Sequence, residues 1–191
     1  MWIGRSTALR GLLAAGAAAG LTVAIAGGSP ASAQQGAPAA APAATVSMRF
    51  DDRGPRFTGS SAVKAGEMLR VRNISGDAHG GHTFTLVATN VLPKSPKAQG
   101  EECFTPGKIC LTAAIAHEFD EQTMEVGRPL VEAGQTGWDK RFSRRIKKGD
   151  SWSSEKKNET FEQIVSAKAG TILRYMCVVH ANMQGKIRVT G

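Results

Sequence analysis

The feature that most constrains this chain is a period-two alternation of apolar and polar residues. It recurs in short runs near both ends of the sequence body. In "TVSMRF" (45–50), Val46, Met48 and Phe50 fall on one side and polar residues on the other. "HTFTLVAT" (82–89) repeats the pattern, with His82, Phe84 and Leu86 on one face. "EMLRVRNI" (67–74), "TILRYMC" (171–177) and "GKIRVT" (185–190) complete the set. This is the period of a half-buried strand, and Gly, Pro and Asn between the runs supply turns. Short strands so spaced predict an all-β chain, a sandwich or a barrel.

The middle of the chain has another character. Residues 90–160 are polar and mixed, and so long a stretch between core strands reads as an insertion. "ICLTAAIAHEF" (109–119) has enough alanine and leucine for a short helix. "WDKRFSRRIKKGD" (138–150) is strongly basic, and 150–165 has room for one or two further strands. His117 falls in the expected helix and reads as a solvated side chain.

The N-terminus reads as a targeting segment. Arg5 and Arg10 precede the apolar stretch 11–28, and "ASA" (31–33) is a small-residue cleavage site. Residues 1–33 are therefore expected to be a secretory signal, which places the chain in a periplasm or outside the cell. An uncleaved segment would tether it to a membrane instead. The Ala/Pro-rich stretch 34–44 reads as a linker. The remaining 45–191 suffices for one domain with a core.

Export bears on the three cysteines. Cys103 and Cys110 frame a Pro-Gly turn, and an oxidising compartment favours their pairing. Cys177 is then the unpaired one. It stands in "YMCVVHANMQGKIRV" (175–189), with His180 and Met183 at intervals of three. Such spacing also suits one stripe of a buried helix. Gly185 and the strand patterns on both flanks argue instead for a loop joining two strands, with three side chains turned to one point. A thiolate and an imidazole make a soft site suited to copper, and a thioether serves as a weak axial ligand. A second imidazole is needed. "HGGH" offers His79 and His82, and the strand that begins at the latter favours His82. His79 is left as an alternative ligand. Zinc is the rival ion, but it favours a charged fourth ligand over a thioether.

"HTFTLV" followed by "YMCVVHANMQGKIRV" resembles the blue copper proteins, the cupredoxin family of plastocyanin, pseudoazurin and amicyanin. The family pattern is a histidine opening a strand, then Cys-x2-His-x2–4-Met leading into Gly-x-Ile/Val-x-Val. The short Cys–His–Met spacing here is most similar to amicyanin. The resemblance covers about 45–90 and 160–191. It implies a Greek-key β-sandwich carrying one type 1 copper, with His82, Cys177, His180 and Met183 as ligands. It implies a carrier of single electrons rather than an enzyme. In the family, electrons leave by the edge of the loop histidine, here His180, so Val179, Ala181, Gly80 and Gly81 are the expected docking patch. Thr83 stands where many members have Asn or Ser, and Val178-Val179 where many have proline or a hydroxyl residue.

Charge and histidine count narrow the classes further. The balance is 24 basic to 16 acidic residues, and it stays positive without Arg5 and Arg10. With few aromatics and no nucleic-acid motif, this favours an acidic protein partner over nucleic acid. Lys140, Arg141, Arg144, Arg145, Lys147 and Lys148 are the residues that would steer such a partner. Four histidines are too few for a multicopper oxidase. A monomer without a small-molecule substrate is expected. The second function class is a copper-binding or copper-delivery protein that shuttles no electrons.

Overall fold

The computed structural model describes residues 42–75, 81–123 and 125–191. The expected signal 1–33, most of the linker 34–44, and His79 and Gly80 lie outside the described residues.

The described chain is mostly β. Its strands are β1 (Ala44–Asp51), β2 (Gly54–Gly59), β3 (Ala62–Lys64), β4 (Met68–Asn73), β5 (His82–Val87), β6 (Phe119–Asp120), β7 (Glu125–Val126), β8 (Leu130–Val131), β9 (Ser151–Ser154), β10 (Thr160–Ile164), β11 (Ile172–Met176) and β12 (Gln184–Thr190). The smaller sheet has the order β10-β4-β1-β2 and the larger β3-β12-β11-β5-β9-β8; β6 and β7 pair separately. Both large sheets are mixed, since β1 runs parallel to β4 and β12 parallel to β3. Residues 150–164 thus belong to the sheets, through β9 against β5 and β10 against β4. The elaborated segment runs between the end of β5 and the start of β9.

The alternation explains how the sheets face each other. Val46 and Met48 of β1 and Leu69 and Val71 of β4 share one core with Phe84 and Leu86 of β5, Leu173 and Tyr175 of β11 and Ile187 and Val189 of β12. Gly185 pairs with Tyr175 across β11 and β12, and a Cβ there would sit 2.2 Å from the tyrosine ring. The glycine that follows the Cys–His–Met loop is thus required by close packing beneath that loop.

A second core lies on the other side of the larger sheet. Val87, Met176 and Val178 meet Cys103, Ile109, Cys110, Ala113, Ala116, Val131, Phe142 and Ala181. Most of these come from the middle segment, which holds α1 (Pro96–Gln99), a 3-10 turn (Glu101–Phe104), α2 (Ile109–Ala116) and α3 (Ala133–Thr136). The expected helix is α2, whose Ile109, Cys110, Ala113 and Ala116 form the buried stripe. It ends at His117 and Glu118, the latter at φ 54. Every residue of β5 is consequently buried, its polar side included.

Cys103 and Cys110 form a disulfide that ties α2 to the preceding turn. So short a loop contributes roughly 2–3 kcal/mol in the chain-entropy account. The double variant C103S/C110S is expected to lose about that much, read as a lower urea midpoint.

The basic stretch closes onto β5. Phe142 N–H donates to the Leu86 carbonyl (2.9 Å) and Ala88 N–H to that of Phe142 (2.8 Å). Asp150 fixes its base, with Oδ2 accepting from the Asp139 and Lys140 N–H groups at 2.7 Å each. Its other oxygen, Oδ1, is buried without a partner. Burial pushes the carboxyl up to about 6, against the pull of those two backbone bonds. A carboxyl that holds its proton more tightly folded than unfolded stabilises the fold below the ordinary aspartate range. That contribution is lost as pH rises through about 6. Urea midpoints of the wild type should therefore fall relative to D150N as pH rises from about 4 to about 7. A constant difference would refute the assignment.

Candidate metal centre

The site is built where the two ends of the alternating pattern meet. β5 delivers His82, fully buried, opposite Ser154 of β9. β11 ends at Met176, and the next residue, Cys177, turns into the inner core with its sulfur fully buried. Met176 points the other way, into the second core, as the alternation requires. The connection to β12 is held by its own backbone. Met183 N–H donates to the His180 carbonyl (2.8 Å), and Cys177 N–H to that of Met183 (3.0 Å). Gln184 Nε2 donates to the carbonyls of Ala181 (2.8 Å) and Pro93 (2.7 Å), tying the loop to the middle segment.

The nitrogens converge on the sulfur. Cys177 Sγ lies 3.8 Å from His82 Nδ1 and 3.7 Å from His180 Nδ1. The three donor atoms all lie within 4.8 Å of one another. An ion with bonds of about 2.0 Å to nitrogen and about 2.3 Å to sulfur spans such N···S gaps at roughly 120°. Met183 is buried in the same core cluster as Cys177. Two imidazoles, one thiolate and a thioether fit a single copper ion.

The sulfur is prepared for a cation. Burial pushes the Cys177 thiol up, while the N–H groups of Thr83, His180 and Val179 and the Thr83 hydroxyl pull it down. Thr83 N–H donates to Sγ at 3.4 Å. A buried thiol that resists ionisation gives up its proton to a bound metal ion, so binding and deprotonation are coupled. The Thr83 hydroxyl accepts from Val178 N–H at 2.7 Å, fixing the loop to β5. Thr83, a departure from the family pattern, is thus a supporting residue of the site.

Solvent reaches the group at His180, which is half-buried and has the Phe50 ring 5.6 Å away. Phe50 was not expected at the site, although its place on the inward side of β1 follows from the alternation. Val179 is 52% exposed and Gly81 is half-buried. Ala181 differs from expectation. It is buried in the second core, against α2 and Phe142, and presents no surface. The six basic residues are exposed, Lys140 being paired with Glu132 at 2.8 Å.

His117 also differs. It is buried rather than solvated, with Nδ1 on the Arg128 carbonyl and Nε2 on Ser151 Oγ, both at 2.7 Å. The clue in the sequence was the helix before it. "ICLTAAIA" is apolar on nearly every side, and such a helix has to be covered.

No family model matches the chain, and no curated protein matches it. Among solved structures, it is similar to auracyanin B at 14% identity and a TM-score of 0.41, over 79% of this chain and 91% of the other. It is similar to dithionite-reduced auracyanin from the photosynthetic bacterium Roseiflexus castenholzii at 12% identity and a TM-score of 0.36, over 77% and 95%. Auracyanin A, a "blue" copper protein from the green thermophilic photosynthetic bacterium Chloroflexus aurantiacus, is similar at 18% identity and a TM-score of 0.38, over 76% and 96%.

Proposed function

We propose that this chain is a blue copper protein of the cupredoxin kind, an exported carrier of single electrons between protein partners. The observation that carries the reading is the convergence of His82, Cys177 and His180 at one buried point. Copper bound there supplies a one-electron couple between Cu(II) and Cu(I). The chain's own residues do the rest. His82 is fixed by a strand covered on both faces, and the loop ligands by backbone bonds and Gln184. Donors so held resist rearrangement when the charge at the site changes. Cys177, His82 and Met183 are closed to water, which leaves the His180 edge as the route outward.

No substrate is turned over in this reading, and the chain acts as a monomer. The Cys103–Cys110 disulfide supports an oxidising compartment, and with it the signal at 1–33, the linker at 34–44 and one domain from 45 onward. The partner is acidic, drawn by Lys140, Arg141, Arg144, Arg145, Lys147 and Lys148. Neutralising these six is expected to slow reduction by an acidic partner about tenfold or more at low salt, and little at high salt. Equal rates at low salt would remove the steering role.

The test is to titrate purified protein with Cu(II). One equivalent should give an intense visible thiolate band and a reversible one-electron wave. Binding without a reversible wave, with copper passing readily to a chelator, would mark a delivery protein instead. No band at all would end the copper reading.

A further inference from the structure

The middle segment does more than cover β5. It leaves a hollow on either side of α2, and both are edged by apolar side chains open to water. The first, of about 370 Å³, lies between α2 and the ligand loop. Phe104, Ala114 and Phe119 line it together with Val178 and Val179. The second, of about 340 Å³, lies between α2 and the basic stretch, with Thr112 and Ile115 lining it beside Lys147 and Lys148. Phe104 is 45% exposed and Ile115 67%. With Val179 they make three of the six large apolar side chains most open to water among the described residues. A lone exposed side chain is ordinary, but a group of them beside two concavities marks a contact surface.

The chemistry of the hollows selects the occupant. His117 and Thr83 also line the first, but their hydrogen bonds are already committed. His117 is held by the Arg128 carbonyl and Ser151 Oγ, and Thr83 by Val178 N–H. A polar small molecule finds little there to orient it, whereas an apolar side chain fits. In the second hollow Arg128 is paired with Glu118, while Lys147 and Lys148 have no ion pair among the described residues. Their charges attract carboxylates. Glu155, which borders the first hollow, repels them. The surface is complementary to a protein that carries an apolar side chain next to acidic groups, with the apolar part toward Val179 and the carboxylates toward Lys148.

We propose that this face of the middle segment is the docking surface for the redox partner: an apolar side chain of an acidic protein seats between Phe104 and Val179, and its carboxylates reach past Ile115 to Lys147 and Lys148. The inference rests on the electron-carrier reading above and gives the middle segment its role. The partner is held on one flank of His180 rather than evenly around it. Docked there, it covers the Val178–Val179 stretch between the Cys177 and His180 ligands.

The probe is a synthetic peptide with a leucine–phenylalanine pair followed by a run of glutamates. Backbone amide shifts of the purified chain are followed by NMR as peptide is added, with the site metal-free and then loaded with Cu(I). Amides of Phe104, Ile115 and Val179 are expected to move together in both states. Those around Ile172, another exposed isoleucine, should stay still. F104S/I115S should raise the half-saturating concentration about fivefold at any salt, and K147A/K148A about tenfold at low salt only. The controls I172S and K64A/K168A remove the same kinds of side chain elsewhere on the surface and should change it by less than about twofold. A peptide with serines in place of the apolar pair should bind the wild type as weakly as the original binds F104S/I115S. No binding, shifts centred elsewhere, or equal losses in the controls would overturn the proposal. So would the same amides answering only to phosphatidylglycerol vesicles, which would assign the face to lipid, or to protein concentration alone, which would assign it to a second copy. Absence of the thiolate band would instead remove the carrier function, and the metal-free amide map would then decide the surface alone.

Discussion

Cys177→Ser is expected to abolish the visible thiolate band and the reversible one-electron wave together, while the protein stays folded. The band belongs to charge transfer from a thiolate, so no other residue can supply it. Cys177 is the one free cysteine, since the other two are joined in a disulfide. Serine offers a hydroxyl that stays protonated at neutral pH and is a harder donor, poorly suited to Cu(I). It still accepts the Thr83 N–H that now meets the sulfur at 3.4 Å. The cost to the fold should therefore stay near that of one buried hydrogen bond, about 1 kcal/mol. Far-UV circular dichroism and a urea titration check the fold, and the spectrum checks the site. A persisting band in the serine variant would mean that the ligand set is wrong.

Phe84→Ala is expected to be the most damaging of the core substitutions, by about 3–5 kcal/mol. Phe84 is fully buried, two positions along β5 from His82 on the same face. Its ring lies 4.5 Å from Tyr175, 5.0 Å from Trp138 and 6.1 Å from Phe57. Those neighbours belong to β11, the middle segment and β2, so the hole cannot be closed by one side chain shifting. Domains are stable by only about 5–15 kcal/mol, and a loss of this size puts much of that at risk. Saturating copper should return part of the lost thermal midpoint, because the ion binds the folded state. A loss below about 1 kcal/mol would show that the aromatic group repacks freely.

The legible and illegible parts of this protein differ for a physical reason. The inner faces of β1, β5 and β11 were written in residues whose alternation has one meaning, and the loop ligands in a spacing that few other structures require. The outer face of β5 was not legible. Thr83 and Thr85 are polar, and a polar face normally meets water. Here it meets a second layer, and Ser151 of β9, which faces Thr85, is buried for the same reason. Burial of polar residues is decided by partners distant in sequence, such as His117 and Ser151. A period read along one strand carries no information about them. Ala181 was misjudged for the same cause, since its neighbours are in α2 and the basic stretch.

The burial of β5 on both faces has a consequence for how an ion comes and goes. A strand covered by two layers opens only when the whole domain opens, so its amide protons should exchange among the slowest in the chain. His82 shares that protection. The other three donors sit on a connection outside the strand ladders, held by two local backbone bonds, by Val178 N–H on Thr83 and by the Gln184 amide. Its opening needs far less than global unfolding. Metal turnover should therefore proceed by brief lifting of the 177–183 segment from a permanently placed histidine. Lifetimes of the bound ion would then follow the loop's opening rate and show little dependence on how stable the sandwich is.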